Sequence, residues 1–590
     1  MSAKVRTGFV NVGAGQVHYR AAGSGPPVIL LHDSPRSSVL HEPLVEHFSD
    51  RFTTIAIDTP GYGNSTPLPP EPRPEIGDFS SALAETILGF GVERCPVYGF
   101  HTSSKILLDF AANHPERVAV AIMDGLSLPA GDTDHAFINS YMRPFKVTGT
   151  GSYLGEEWTR VRDFQRWFPW FAKSKATRLP MAQRDMKYMQ AYSMDLFMAG
   201  PHFSDAYSAA MRYKAVPVVP TLSARCVFMA REDDVLYAFL DALPDPLPDG
   251  STIERLSPDR DAWKARLGEL FNDYADHDGA GDFSPPDPLK DPLGGGAVTR
   301  GYVDTGAGQI LVRRAGQGTG RPIVYLHDLP GSARADETFL KALGQGRPAF
   351  GLDLPGCNDS DPLAQPDAAS YATALIAALD VLGLDQVDLV ADGMSTPLAL
   401  ALAGQAGNRV QHLVLDGVAL PDTDLSAEMK VNYLPDLRPQ MDGTHLHRCW
   451  HMLRDQAVHW PWYDGGVGAI RKITPDIEPQ NLHMRLVDTL KQWDHAGDAI
   501  AAALSIDGKA CLTDVSAPTL VFETEEDVRY RWAGDAVNGL ANGTAAARPP
   551  PSPPGSGEAR SAFRSTVDVT AWPEESTAFA HLAHRAAVSA

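Results

Sequence analysis

The chain reads as an α/β protein built twice: two tandem domains, each a mostly parallel sheet flanked by helices and carrying a helical insertion. Three observations predict this. Blocks of the first half return in order in the second. Phe9-Val-Asn-Val-Gly-Ala-Gly-Gln-Val-His-Tyr-Arg20 is matched by Gly301-Tyr-Val-Asp-Thr-Gly-Ala-Gly-Gln-Ile-Leu-Val-Arg313, and Asp124-Gly125 by Asp416-Gly417. Short apolar runs end at polar or glycine-rich turns, as strands buried on both faces do. Segments with apolar residues at helical spacing lie between those runs, and such alternation implies a parallel sheet covered on both sides.

The elements follow in order. Val28-Ile-Leu-Leu31 and Thr53-Thr-Ile-Ala-Ile57 are the first buried strands, and Pro96-Val-Tyr98 ends at Gly99. Lys105–Asn113 has helical spacing, Val118–Ile122 is the next strand and Cys226–Met229 another. Pro322–Leu326, Val387–Val390, His412–Leu415 and Thr519–Phe522 repeat the series. The expected boundaries are 1–280 for the first domain, 281–296 for a Pro/Gly/Asp-rich linker and 297–590 for the second domain. Insertions at about 130–215 and about 422–510 hold the lid positions, with Trp158, Phe168-Pro-Trp170 matched by Trp450, Trp460-Pro-Trp462. Gly539–Gly557 is expected to be a surface loop.

A length of 590 residues exceeds one hydrophobic core, and 44% apolar content fits folded domains throughout. The formal charge of -22 opposes attraction to nucleic acid or anionic membrane. Five scattered cysteines make no metal-binding spacing and suit a reducing compartment. The first residues carry no long apolar stretch, and the apolar runs are too short to span a membrane. The expectation is a cytoplasmic protein acting on a small molecule, with neither nucleic acid nor membrane as partner. A homo-oligomer stays open, as does a dimer-like pairing of the repeats. No dinucleotide fingerprint is present, and no cofactor is expected.

Three sets of motifs carry a family resemblance. His32-Asp-Ser-Pro-Arg-Ser-Ser38 and Asp58-Thr-Pro-Gly-Tyr-Gly-Asn-Ser65 resemble the front motifs of the α/β-hydrolase superfamily, nearest its haloalkane dehalogenase, epoxide hydrolase and carbon–carbon bond hydrolase branch. The resemblance implies that residues around Asp33 and Ser34 flank an oxyanion or leaving-group pocket, although the family has glycine where Asp33 stands. Gly99-Phe-His-Thr-Ser103 and Ala391-Asp-Gly-Met-Ser395 resemble the strand-to-helix turn that bears the nucleophile. The slots then hold His101 and Gly393. A two-residue register shift would nominate Ser395 instead. Phe228-Met-Ala-Arg-Glu-Asp-Asp234 resembles the turn carrying the acid, placing Asp233 there, with Asp527 in the second repeat. Asp124 and Asp416 stand where the dehalogenase branch supplies its alternative acid.

The family's usual histidine is missing after Asp233; the later candidates His277, His581 and His584 fall in linker-like or terminal stretches. An imidazole rooted at the elbow can enter the same gap from the opposite side. If Asp124 or Asp233 meets one ring nitrogen of His101, the other can act as acid or base without a covalent intermediate. Asp33 completes this catalytic set. Ser34, Phe100, Thr102, Trp158 and Trp170 are the expected substrate contacts. A metal held by His32, Asp33 and His101 is the weaker reading, because adjacent residues seldom aim at one ion. The sequence therefore favours a lyase, isomerase or direct-water hydrolase in the first domain, with a catalytically degenerate second domain. The competing class is an inactive binding or assembly protein.

Overall fold

The computed structural model describes residues 4–129, 131, 133–275 and 281–548. His277, His581 and His584 lie outside the described residues. The chain forms two compact units: Met1–Phe145 with Thr159–Asp291, and Lys146–Trp158 with Pro292–Ala590.

Unit 1 is organised on an eight-stranded sheet: β1 (Arg6–Val12), β2 (Gly15–Ala22), β3 (Pro27–Leu31), β4 (Thr53–Ile57), β5 (Cys95–Phe100), β6 (Val118–Asp124), β7 (Cys226–Arg231) and β8 (Thr252–Leu256). Their order is β1-β2-β4-β3-β5-β6-β7-β8. Strands β1, β2 and β4 pair antiparallel, and every other pairing is parallel. All residues of β3, β4 and β6 are buried, which is why their sequences are apolar without alternation. Helices α1 (Glu42–Phe48), α2 (Ile76–Gly89) and α3 (Thr102–Asn113) belong to the same unit. Val45, Phe48, Leu267 and Phe271 pack with Val28, Leu30 and Tyr98 in one core cluster. The Pro/Gly/Asp composition around residue 283 conceals an anchor: Phe283 packs edge-on against Tyr19 and Phe90, and Ser284 N–H donates to Phe90 O at 2.9 Å.

Unit 2 repeats the sheet with β9 (Thr299–Asp304), β10 (Gln309–Ala315), β11 (Ile323–Leu326), β12 (Ala349–Leu352), β13 (Val387–Asp392), β14 (Val410–Asp416), β15 (Thr519–Glu523) and β16 (Gly543–Ala547), in the corresponding order. The loop expected over Gly539–Gly557 is corrected in its described part. Gly543–Ala547 pairs in parallel with Thr519–Glu523 and forms the sheet edge. Small, weakly β-forming alanines hid that strand from a propensity reading.

Trp158 is a second correction. It is buried within unit 2, not at a pocket mouth in unit 1. Its indole donates to Met441 O at 3.1 Å and meets His445 edge-on. The contacts are reciprocal across the repeat. A Cβ on Gly443 would lie 2.8 Å from the Trp158 ring, and one on Gly151 would lie 2.8 Å from the Trp450 ring. Tyr153 OH also bonds His483 Nδ1 at 2.6 Å. Among the described residues no helix is long and apolar enough to cross a membrane.

Gly443 therefore carries two constraints, a φ of 77° and the indole face. Gly346 has a φ of 79° and nothing within 4 Å of an added Cβ. Gly443→Ala is expected to cost about 2–4 kcal/mol and Gly346→Ala about 1 kcal/mol, since the second carries backbone strain alone. Urea unfolding of both variants measures the difference. Equal losses would mean that Trp158 yields at no cost.

Candidate active site

The candidate site of unit 1 is built on a one-residue elbow. Strand β5 ends at Phe100 and α3 begins at Thr102, leaving His101 between them at φ 51°, ψ -107°. L-residues seldom adopt this conformation, and holding it costs on the order of 1–3 kcal/mol. Local bonds enforce it. His101 N–H donates to Asp124 O at 2.9 Å, Ser104 N–H donates to His101 O at 3.0 Å, and Phe100 N–H donates to Ser103 Oγ at 2.9 Å. Gly99 is required because a Cβ would lie 2.9 Å from Ser103 O. The elbow presents the imidazole one residue beyond the strand.

His101 Nε2 bonds Asp234 at 2.8 Å to Oδ2 and 3.1 Å to Oδ1. The imidazole is 25% exposed and the carboxylate 6%. Phe100 stacks on the ring at 4.0 Å between centroids, and Gly125 supports it from below, since a Cβ there would lie 2.6 Å from His101 Cδ2. Burial disfavours protonation of His101, but the hydrogen bond and charge of Asp234, with Asp33 and Asp124 nearby, raise its pKa above 6.5. Burial also opposes ionisation of Asp234; its bond to His101 and the Leu236 amide outweigh this and lower its pKa.

The carboxylate that meets the imidazole is thus Asp234, not Asp233. Asp233 turns away to Arg231 at 3.3 Å. The sequence contained the correct signal: Asp234-Val-Leu-Tyr237 matches Asp527-Val-Arg-Tyr530 in the second repeat. Asp124 does not orient His101 with its side chain. Its Oδ2 accepts from Tyr98 OH and Trp263 Nε1, each at 2.9 Å, so this carboxylate braces the sheet behind the elbow. Asp33 is half-buried, and its Oδ1 has no hydrogen-bond partner. Burial raises its pKa against the opposing charges of Arg36, His101 and His32.

The expected substrate contacts divide. Phe100 touches His101, whereas Ser34 and Thr102 are buried at the two turns that flank it. Trp170 is held within the insertion by donation to Tyr141 O at 2.9 Å and by the Phe164 ring. His32 is a structural bridge, with Nδ1 on Asp33 O and Nε2 accepting from Thr59 N–H. Among the described residues no cluster of His, Cys, Asp and Glu is arranged to hold a metal.

In unit 2 the corresponding slot is filled from within. Gly393 has φ 56°, and a Cβ there would lie 2.2 Å from Asp328 Oδ1. That oxygen accepts from Leu329 N–H at 2.8 Å and Met394 N–H at 2.9 Å. The Asp328 carboxylate thus occupies both amides that flank the elbow. Ser395 offers no substitute nucleophile, since it is buried with Oγ on Leu326 O and Asp392 O. Among the described residues Asp527 meets no imidazole. It pairs instead with Arg471 at 2.8 Å and Arg529 at 3.2 Å. Burial opposes its ionisation, yet both guanidiniums hold its pKa far below the usual range. Asp416 accepts from Tyr530 OH and pairs with Arg548 at 3.3 Å.

This arrangement makes Asp527→Asn a stability variant. Removing one partner of a buried ion pair costs about 3–5 kcal/mol, because the remaining charge stays buried. Denaturant unfolding should register that loss in unit 2. Whatever turnover unit 1 supports should persist under conditions where the variant remains folded.

A family model described as the alpha/beta hydrolase fold matches residues 26–206 and again 321–446. A 2-(acetamidomethylene)succinate hydrolase from Mesorhizobium japonicum is 27% identical over 157 residues, 26% of this chain and 56% of that protein. Haloalkane dehalogenase 2 from Mycobacterium tuberculosis is 27% identical over 124 residues, 20% of this chain and 41% of its own length. The chain spans about half the length of these curated relatives. The crystal structure of epoxide hydrolase A from Mycobacterium thermoresistibile aligns over 46% of this chain and 98% of its own, with 16% identity and a TM-score of 0.37. The family model matches both repeats and covers half of the chain, so this protein belongs to the α/β-hydrolase fold family as a tandem duplication.

Proposed function

We propose that unit 1 is a cofactor-independent acid/base enzyme acting on a small or medium-sized, mostly apolar organic molecule. The observation that carries this reading is the His101–Asp234 pair. Nε2 is committed to the carboxylate, while Nδ1 makes no hydrogen bond among the described residues. In the neutral tautomer Nε2–H donates to Asp234, and the Nδ1 lone pair can take a proton from carbon, hydroxyl or water. Asp234 stabilises the resulting imidazolium, which returns the proton to the leaving group or product. A lyase, isomerase or direct-water hydrolase fits this cycle, with Asp33 as a second proton-carrying group. No Ser, Cys or Asp stands at the elbow to form a covalent intermediate. The five unpaired thiols suit the cytoplasm.

A second reading, a binding or assembly protein without catalysis, draws on unit 2, where the slot is closed by Asp328. Turnover screening of the full chain separates the two readings, using esters, epoxides, haloalkanes, hydroxynitriles and 1,3-diketones. On a substrate found this way, His101→Ala is expected to lower kcat by about 10²–10⁴-fold. Asp234→Asn should follow it, and Asp233→Asn should stay near the parent.

If neutral His101 is the base, kcat/KM rises with pH through a pKa above 6.5, because protonation removes the lone pair. Asp234→Asn should move that limb to lower pH, since the carboxylate is what raises the pKa. A limb insensitive to Asp234→Asn, or full activity in His101→Ala, would sink the mechanism.

A further inference from the structure

Arg36 closes a four-residue turn that starts at Asp33, its N–H donating to Asp33 O at 3.0 Å. The side chain is 3% exposed. Its Nε donates to Asp195 Oδ2 at 2.8 Å, and the other oxygen of that carboxylate accepts from Ser37 Oγ at 2.6 Å. The guanidinium lies over the rings of Tyr188 and Tyr192, 4.8 and 5.0 Å from their centroids. Held by a carboxylate and two aromatic faces, it has little freedom to turn. Its Nη1 is nevertheless buried without an acceptor in hydrogen-bonding geometry among the described residues. The Tyr188 hydroxyl lies near enough for the guanidinium's charge and hydrogen-bonding contact to act on it, but it does not complete a bond to Nη1 in that geometry. A buried donor left unpaired costs about 1–3 kcal/mol, which a ligand oxygen would recover.

Unit 2 lacks this feature. Gly331 stands in the place of Arg36, and Arg485 stands in that of Tyr192, ahead of an aspartate (Asp195 or Asp488) that binds a serine in each unit. Arg485 Nε lies 3.8 Å from where a Gly331 Cβ would be, so a guanidinium refills the space from the opposite element. Its Nη2 is already committed to Pro330 O and Gln456 Oε1. The unpaired donor therefore goes with the unit whose elbow carries an imidazole.

Charge balance selects the kind of oxygen. Asp195 neutralises Arg36, Asp234 balances His101, and Asp33 lies at the start of the same turn, its charge felt by both cations. A substrate carboxylate would add an uncompensated negative charge to this buried set. A neutral carbonyl needs only the donor. We propose that Arg36 Nη1 is the recognition donor for the carbonyl oxygen of an uncharged ketone or amide substrate at the His101 site. The assignment rests on the reading of unit 1 as an acid/base enzyme, but its test does not use turnover.

Acetophenone, ethylbenzene and benzoate share one body and differ in the oxygen presented. Their affinities for the full-length protein can be measured by calorimetry, together with the ¹³C shift of carbonyl-labelled acetophenone. The parent is expected to prefer acetophenone to ethylbenzene by about tenfold, the worth of one hydrogen bond to a charged donor. The bound carbonyl signal should move downfield. Arg36→Met should erase both effects. Arg36→Lys keeps a charge for Asp195 but loses the fork, and provides a folded alternative should the methionine variant unfold; it should lose most of the preference. His101→Ala should retain the preference, which separates this proposal from the acid/base mechanism. An equal acetophenone preference in folded Arg36 variants would overturn the assignment. So would no such preference in the parent, or tighter binding of benzoate.

Discussion

Everything in the two candidate sites depends on one backbone constraint: a single residue between strand and helix held at φ near +50°, in His101 and again in Gly393. The elbow forces whatever side chain it carries into a slot flanked by the amides of the following helix and the preceding loop. Something must satisfy those amides. In unit 2 glycine leaves room, and the Asp328 carboxylate moves in to accept from two of them. In unit 1 the imidazole takes the space, and Asp33, rooted at the same loop position, keeps an unpaired oxygen. The elbow residue and the loop aspartate are therefore one choice, made differently in each repeat.

The same coupling extends to the acid. Asp234 is matched to a histidine that shares its proton, whereas Asp527 is matched to two guanidiniums that do not release theirs at ordinary pH. Replacing a titratable partner by permanent cations leaves a structural ion pair where unit 1 has a pair that can exchange a proton. Unit 2 conserves the acid in place and changes what surrounds it, so a matching aspartate alone is a poor guide to activity.

The sheet was legible because β3, β4 and β6 are buried on both faces and so carry unbroken apolar runs. The alanine-rich β16 was not, because its residues have little preference for a strand without their neighbour β15. At the site, the spacing of the strand-to-helix turn located His101. The carboxylate that meets it lies one residue beyond Asp233, since Glu232-Asp-Asp234 offers adjacent carboxylates and only the closing turn aims the last at the imidazole. Trp158 matched Trp450 correctly, but recurrence says only that a contact is repeated. It does not reveal that the contact is a reciprocal packing of tryptophan on glycine. Arg36 stood within the quoted motif and carried no signal until its carboxylate and aromatic partners, far away in sequence, were placed around it.

Duplication also explains why a charge can change its root without leaving its place. The guanidinium beside the loop comes from Arg36 in one repeat and from Arg485 in the other, each where the opposing position is compatible: Tyr192 beneath Arg36, Gly331 beside Arg485. The exchange keeps one of the two positions cationic in each unit, while the other changes from Tyr192 to Gly331. What differs afterwards is where the hydrogen bonds point. Arg485 spends its Nη2 on the protein, and Arg36 keeps Nη1 buried without a bonded acceptor among the described residues.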